Sequence, residues 1–209
     1  MKMTRKGILI VVSGFSGAGK GTLMKELVRT YENYALSVSM TTRSPRPGEE
    51  EGKEYFFVSE EEFKEKLEQD GLIEYANYCG NYYGTPREYV ERQLEKGKDV
   101  ILEIEIQGAL KIKEKFPTAL LIFVMPPDAA ELKKRLEGRG TESPEVIAQR
   151  ICRAREEAVG IEEYDFLIIN DRLEECVKEM HVLIQAAHST PTRNTELIQT
   201  MRKELEALV

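Results

Sequence analysis

Residues 14–22 read Gly14-Phe15-Ser16-Gly17-Ala18-Gly19-Lys20-Gly21-Thr22 and follow an apolar run at residues 8–12. Glycines at this spacing let consecutive backbone N–H groups point into one concavity. A helix starting there adds the positive end of its dipole, and the two together hold phosphate oxygens. Lys20 is placed to reach the β- and γ-phosphates of a nucleoside triphosphate. Position 21, where the strict pattern carries Ser or Thr, is glycine; the next hydroxyl, on Thr22, is therefore the candidate near a divalent metal. A plain glycine turn has the same composition but needs no strand before it and no helix after it. The loop names a triphosphate and leaves the acceptor open.

A second set lies at residues 37–88. Thr41-Thr42-Arg43-Ser44-Pro45-Arg46 puts two arginines three apart on a proline-stiffened turn. Guanidinium groups fork onto phosphate oxygens and keep their charge. With the hydroxyls of Tyr55 and Tyr83 they make a candidate monophosphate clamp. Taken alone, the same residues also describe a solvated turn and two strand tyrosines. Guanine presents O6 and N7 as acceptors, and its N1–H and exocyclic amine as donors, so a pocket for it needs carboxylates with hydroxyls beside them. Glu74 sits in a strand-like segment at 72–76, while Glu103 and Glu105 interrupt an apolar run at 100–106 and fall on one face of it. Buried carboxylates there would be costly unless liganded. Ser39 and Thr85 can supply hydroxyls.

A third set is cationic. Arg135 and Arg139 are four apart, and Arg150 and Arg153 three apart, around Gly138-Arg139-Gly140 and a helix start at Ser143-Pro144. The glycines suit a hinged lid. The other reading is a salt-bridged surface with Glu131, Glu137 and Glu142 as partners.

These sets need a scaffold. Runs at 8–12, 100–106, 120–125 and 166–169 are short, apolar and β-branched, which predicts strands. Helical patterns at 22–31, 86–96, 108–115, 128–136 and 172–187 alternate with them; Asp128 is a candidate N-cap. Strand–helix alternation predicts a mostly parallel sheet covered on both faces. The segment at 37–85 breaks that rhythm with a Pro/Gly turn, an aromatic strand at 55–58, an acidic helix from Ser59 and an extended stretch at 72–83. It is expected to be a small mixed β-rich insertion. With 209 residues, one compact unit carrying insertions is expected.

Composition narrows the classes. Lys plus Arg number 30 and Asp plus Glu 37, a net charge of −7, which argues against a general nucleic-acid or anionic-membrane binder. The apolar run at 8–12 is too short for a membrane span or a secretory core. Cys79, Cys152 and Cys176 are scattered and odd in number, which suits a reducing cytoplasm and no zinc site. His181 and His188 are expected at the surface.

The ordered motifs GFSGAGKGT, SxSMTTRSPRPGE with GKEYFFVS, LIEYA with GNYYGTP, ILEIEIQGA, KKRLEGRGTES with IAQRI, and YDFLIIND together resemble the guanylate kinase family, over nearly the whole chain to about Ala187. The resemblance implies an α/β, three-layer P-loop kinase core with a mostly parallel sheet, a small mixed β-rich GMP-binding insertion and a helical lid. Its divisions fall at 1–36 for the core, 37–88 for the insertion, 89–128 for the core again, 129–159 for the lid, and 160–209 for core and C-terminal helices. It implies transfer of the γ-phosphoryl of ATP to GMP, and to dGMP beside it, with Mg²⁺ held mainly by the phosphates. Residues 14–22 would hold ATP, with Asn170 by the adenine. Ser39, Glu74, Thr85 and Glu105 would read guanine, and Arg43, Arg46, Tyr55 and Tyr83 the GMP phosphate. Lys20, Arg43, Arg135, Arg139 and Arg150 would stabilise the transferred group. Phe15 and Gly21 depart from the commonest pattern, as does Glu105, where Asp is usual. A non-catalytic protein-binding module of the same fold, and a kinase for another phosphorylated acceptor such as AMP or a ribose bisphosphate, are the alternatives. Partners are small molecules, with no nucleic acid and no membrane, and the assembly is a monomer or a homodimer.

Overall fold

The computed structural model describes residues 5–78, 80–138 and 143–208. The chain runs through β1 (Leu9–Gly14), α1 (Lys20–Thr30), β2 (Tyr34–Leu36), β3 (Ser39–Thr41), β4 (Tyr55–Phe57), α2 (Glu60–Glu68), β5 (Leu72–Tyr78) and β6 (Asn81–Pro86). It continues with α3 (Arg87–Glu95), β7 (Asp99–Glu103), α4 (Ile106–Lys115), β8 (Leu120–Met125), α5 (Ala129–Glu137), α6 (Pro144–Glu157), β9 (Phe166–Ile169), α7 (Leu173–His188) and α8 (Thr195–Glu206).

β2, β7, β1, β8 and β9 form, in that order, one sheet whose pairings are all parallel. Side chains alternate across a strand, so β1 feeds two cores. Ile10 and Val12 pack with Leu23 and Leu27 of α1 and Met180 of α7. Leu9 and Val11 pack with Val90 of α3 and Ala109 and Ile112 of α4. Helices on both faces make the core a three-layer α/β unit. The C-terminal ends of β1 and β7 open into a crevice, the usual ligand position in such sheets.

A second sheet has the order β4-β3-β6-β5. β5 and β6 form an antiparallel hairpin, β3 pairs antiparallel with β6, and β3 pairs parallel with β4. Its own small core is Met40, Phe63 and Leu72. α2 starts where Ser59 accepts from the Glu62 N–H and the Glu62 carboxylate accepts from the Ser59 N–H, which satisfies two end donors at once. α5 starts on Asp128, whose Oδ1 accepts from Glu131 N–H at 2.7 Å. No described helix is long and apolar enough to cross a membrane.

Two expectations are corrected. The strand at 100–106 is shorter: β7 ends at Glu103 because Ser13 Oγ donates to the Ile104 carbonyl at 2.7 Å, and Glu105, extended at φ −67° and ψ 162°, leads straight into α4. Glu103 and Glu105 therefore lie exposed at the strand's mouth and not inside the sheet. The histidines are packed. They share with Val177 and Ile184 the stripe of α7 that faces the core. His188 Nε2 is buried 2.8 Å from Asp99 Oδ1, and His181 stacks on Tyr31 at 3.8 Å with its Nδ1 2.8 Å from the Tyr34 hydroxyl. Residues 72–83 form most of the β5–β6 hairpin, within the expected mixed β-rich insertion. Beyond the core, α8 carries no buried residue and leaves Leu197, Met201 and Leu205 about half exposed.

Candidate active site

The loop after β1 bends only because its glycines allow it. Gly14 has φ +154° against the Val124 carbonyl, with no room for a Cβ. Gly19, at φ +86°, passes the Asn170 amide so closely that a Cβ there would meet its Nδ2 at 2.6 Å. Asn170 is buried and donates from Nδ2 to the Ala18 carbonyl at 2.8 Å. That fixes the loop from behind. Lys20 Nζ spans the loop, donating to the carbonyls of Gly14 at 2.7 Å and Phe15 at 3.2 Å.

A cleft of about 830 Å³ opens from this loop. Its walls include Gly14, Ser16 and Lys20 from the loop, Ser39 and Tyr55 from the second sheet, Glu103 and Glu105 from the mouth of β7, and Arg150 of α6. Arg150 Nη1 donates to Ser16 Oγ at 2.7 Å, so the lid helix already touches the phosphate loop.

Two of the residues expected to read a base are joined directly. Thr85 Oγ1 donates to Glu74 Oε1 at 2.7 Å. Burial pushes the Glu74 carboxyl above its ordinary value; Thr85 opposes this, and the nearby charge of Glu105 adds to it. Glu105 lines the cleft, whereas Glu74 and Thr85 are not in its lining.

The clamp is organised by a residue that spacing alone does not single out. Glu49 receives Arg43 Nη2 on both oxygens, at 2.9 and 3.0 Å, and the Arg46 N–H at 2.7 Å. The Arg43 guanidinium also lies 5.4 Å from the centre of the Tyr55 ring, and Tyr55 meets Tyr83 edge-on at 5.9 Å. Burial pulls the Arg43 pKa down, but Glu49 and Tyr83 outweigh it and hold it above the usual value. Arg46 itself is exposed.

Other expected residues stand further off. Arg135 pairs with Glu131 at 2.8 Å on α5 and does not line the cleft. Thr22 is exposed and also outside the lining, whereas the carboxylate of Glu103 comes to 3.9 Å from where a Cβ on Gly21 would be. Arg139 lies outside the described residues. Arg153, three residues after Arg150 in the cationic set, also lines the cleft, as does Glu157, which nothing in the motif pattern marks.

The guanylate kinase family model matches residues 6–187. The guanylate kinase of Caldanaerobacter subterraneus subsp. tengcongensis is 48% identical over 204 residues, covering 98% of this chain and 99% of its own. That of Streptococcus thermophilus is 54% identical over 187 residues, 89% of this chain and 90% of its own. The crystal structure of guanylate kinase from Anaplasma phagocytophilum superposes with a TM-score of 0.69 at 33% identity, covering 90% of each chain. With the family model matching residues 6–187 and relatives this similar over most of their length, around a cleft that opens from a glycine-rich loop after β1, the chain belongs to the guanylate kinase family.

Proposed function

We propose that this chain transfers the γ-phosphoryl group of ATP to GMP, giving ADP and GDP. The observation that carries the reading is that Lys20 and its loop open onto the same cleft as Ser39, Tyr55 and Glu105. Donor cradle and acceptor pocket are thus one space, within the usual size for ligand cavities.

The chain's task is alignment and charge neutralisation, since a GMP phosphate oxygen is already an anionic nucleophile. Lys20, released from the loop carbonyls, holds the β- and γ-oxygens. Arg43 turns from Glu49 to the acceptor phosphate, the exposed Arg46 guanidinium joins it there, and Tyr55 and Tyr83 donate hydroxyls to it. Glu74 accepts from the guanine edge, oriented by Thr85, and Glu105 accepts beside it. Arg150, already at Ser16, screens the two anions as they approach, and Arg135 and Arg139 complete the lid. Asn170 keeps the Ala18–Gly19 backbone in its phosphate-binding shape and borders the adenine end. The carboxylate of Glu103 beside Gly21 suits a hard cation, so Glu103, with the Thr22 hydroxyl, would hold Mg²⁺ against the nucleotide. When bound, Mg²⁺ neutralises charge on the β- and γ-phosphates.

ADP release measured with GMP, AMP, CMP and UMP in turn tests the reading. GMP alone should support fast turnover. Lys20→Ala should lower kcat about 10²–10³-fold with an unchanged circular dichroism spectrum. Equal turnover with AMP would overturn the base assignment, and an unaffected Lys20→Ala rate would overturn the loop assignment.

A further inference from the structure

α6 crosses the cleft and touches both of its ends. Arg150 bonds the phosphate loop through Ser16. One turn later, Arg153 Nη2 lies 3.0 Å from Glu105 Oε2, and its Nε lies 3.2 Å from Glu157 Oε1, four residues on in the same helix. Glu157 thereby aims the guanidinium across the cleft. Glu105 is the residue before α4, yet its side chain makes no bond to the helix end. Its carboxylate is turned to the cleft instead, with Oε2 on Arg153. Its other oxygen carries no bond among the described residues.

We infer that Arg153 is a positioning residue that ties the lid helix to the base-reading carboxylate of Glu105, so that guanine binding and lid docking favour one another. This rests on the guanine-reading role proposed for Glu105. One oxygen faces Arg153 and the other is left for the base. GMP that orders Glu105 presents Arg153 with a fixed partner. A docked lid holds Glu105 in the orientation the base requires. By linkage, GMP and ATP then strengthen each other's binding by the same factor. The length of the Glu105 side chain matters here. An aspartate would withdraw the carboxylate by one bond, about 1.5 Å, and open the 3.0 Å contact to Arg153.

The two side chains are 62% and 52% exposed, so the bond is modest and its loss should cost about two- to five-fold. The test uses AMP-PNP, which cannot transfer its phosphoryl group, titrated with and without saturating GMP. In the intact chain GMP should tighten AMP-PNP. Arg153→Gln should shrink that factor about two- to five-fold, while AMP-PNP binding without GMP stays the same. Arg153→Lys should fall between, since it keeps the charge but not the fork onto both carboxylates. Glu105→Asp should show the same loss, and the double variant should lose no more than Glu105→Asp alone. Full tightening in Arg153→Gln, additive losses in the double variant, or no tightening in the intact chain would each overturn the inference. Failure of the base-reading role gives a different result: Glu105→Gln would leave the binding of GMP alone unchanged.

Discussion

Glu74 carries two opposing demands. Burial raises its pKa, Thr85 partly offsets this, and Glu105 adds to it. A carboxyl whose folded pKa lies above the unfolded value stabilises the fold while protonated, and that contribution is lost as pH rises through the folded pKa. Guanine needs the ionised acceptor. From the ordinary glutamate range upward, stability should therefore fall while GMP affinity improves. Glu74→Gln separates the two: its carbonyl can still accept from Thr85, and the desolvated charge is gone. Its thermal midpoint at pH 7 should equal or exceed that of the intact chain, while KM for GMP rises about ten- to a hundred-fold and KM for ATP stays put. A lower midpoint with unchanged GMP KM would refute this. Lys20, Glu74 and Thr85 are legible in the sequence because their chemistry needs particular types in a particular local setting. Glu49 is not, because a glutamate beside arginines has the pattern of an ordinary surface pair, and Arg153 is marked only as one of a cationic set, without its partner. Only the fold brings Arg153 to Glu105.

At the scale of elements, β7 is pinned at the end away from the cleft, and that joint serves stability. Asp99 opens that strand. It accepts from the Ile8 N–H at 2.8 Å and from Asn33 Nδ2 at 3.3 Å, and it meets His188 Nε2 at 2.8 Å. The pair is nearly sealed, with 6% and 2% of the two side chains exposed. It joins β1, the turn before β2, β7 and the end of α7. Asp99→Ala strands a buried N–H and a buried imidazole, and should cost about 3–5 kcal/mol in urea unfolding. Glu103 and Glu105 sit at and beyond the other end of the strand, so KM for GMP should not change in the folded variant. An unchanged urea midpoint would remove the joint from the account. This joint is invisible to periodicity: His188 falls on the apolar stripe of α7, but no local rule reveals its partner. The long core strands and their crossover helices are legible because the apolar runs at 8–12, 120–125 and 166–169 are dense and β-branched. The three-residue strands β2 and β3 are too short to show alternation. The end of β7 is masked because Ile104 and Ile106 continue an apparent alternation that the Ser13 bond to Ile104 cuts short.

For the whole molecule, the difficulty is bringing two polyanions into a chain of net charge −7. The fold brings Lys20, Arg150 and Arg153 to the cleft from segments far apart in sequence, while other acidic side chains stay on exposed faces such as the first turn of α2. The P-loop, the second sheet and α6 each bring one part: the donor cradle, the acceptor pocket and the cations that cover them. The central claim is that the acceptor is chosen by carboxylates accepting from guanine's donors. Comparing kcat/KM for GMP and IMP tests it most directly, because IMP keeps the phosphate, ribose and N1–H but lacks the exocyclic amine. On the proposed roles of Glu74 and Glu105 as acceptors for that amine, GMP should be favoured by at least about 10²-fold. Equal kcat/KM values for the two would show that neither carboxylate reads the amine, and would contradict the account.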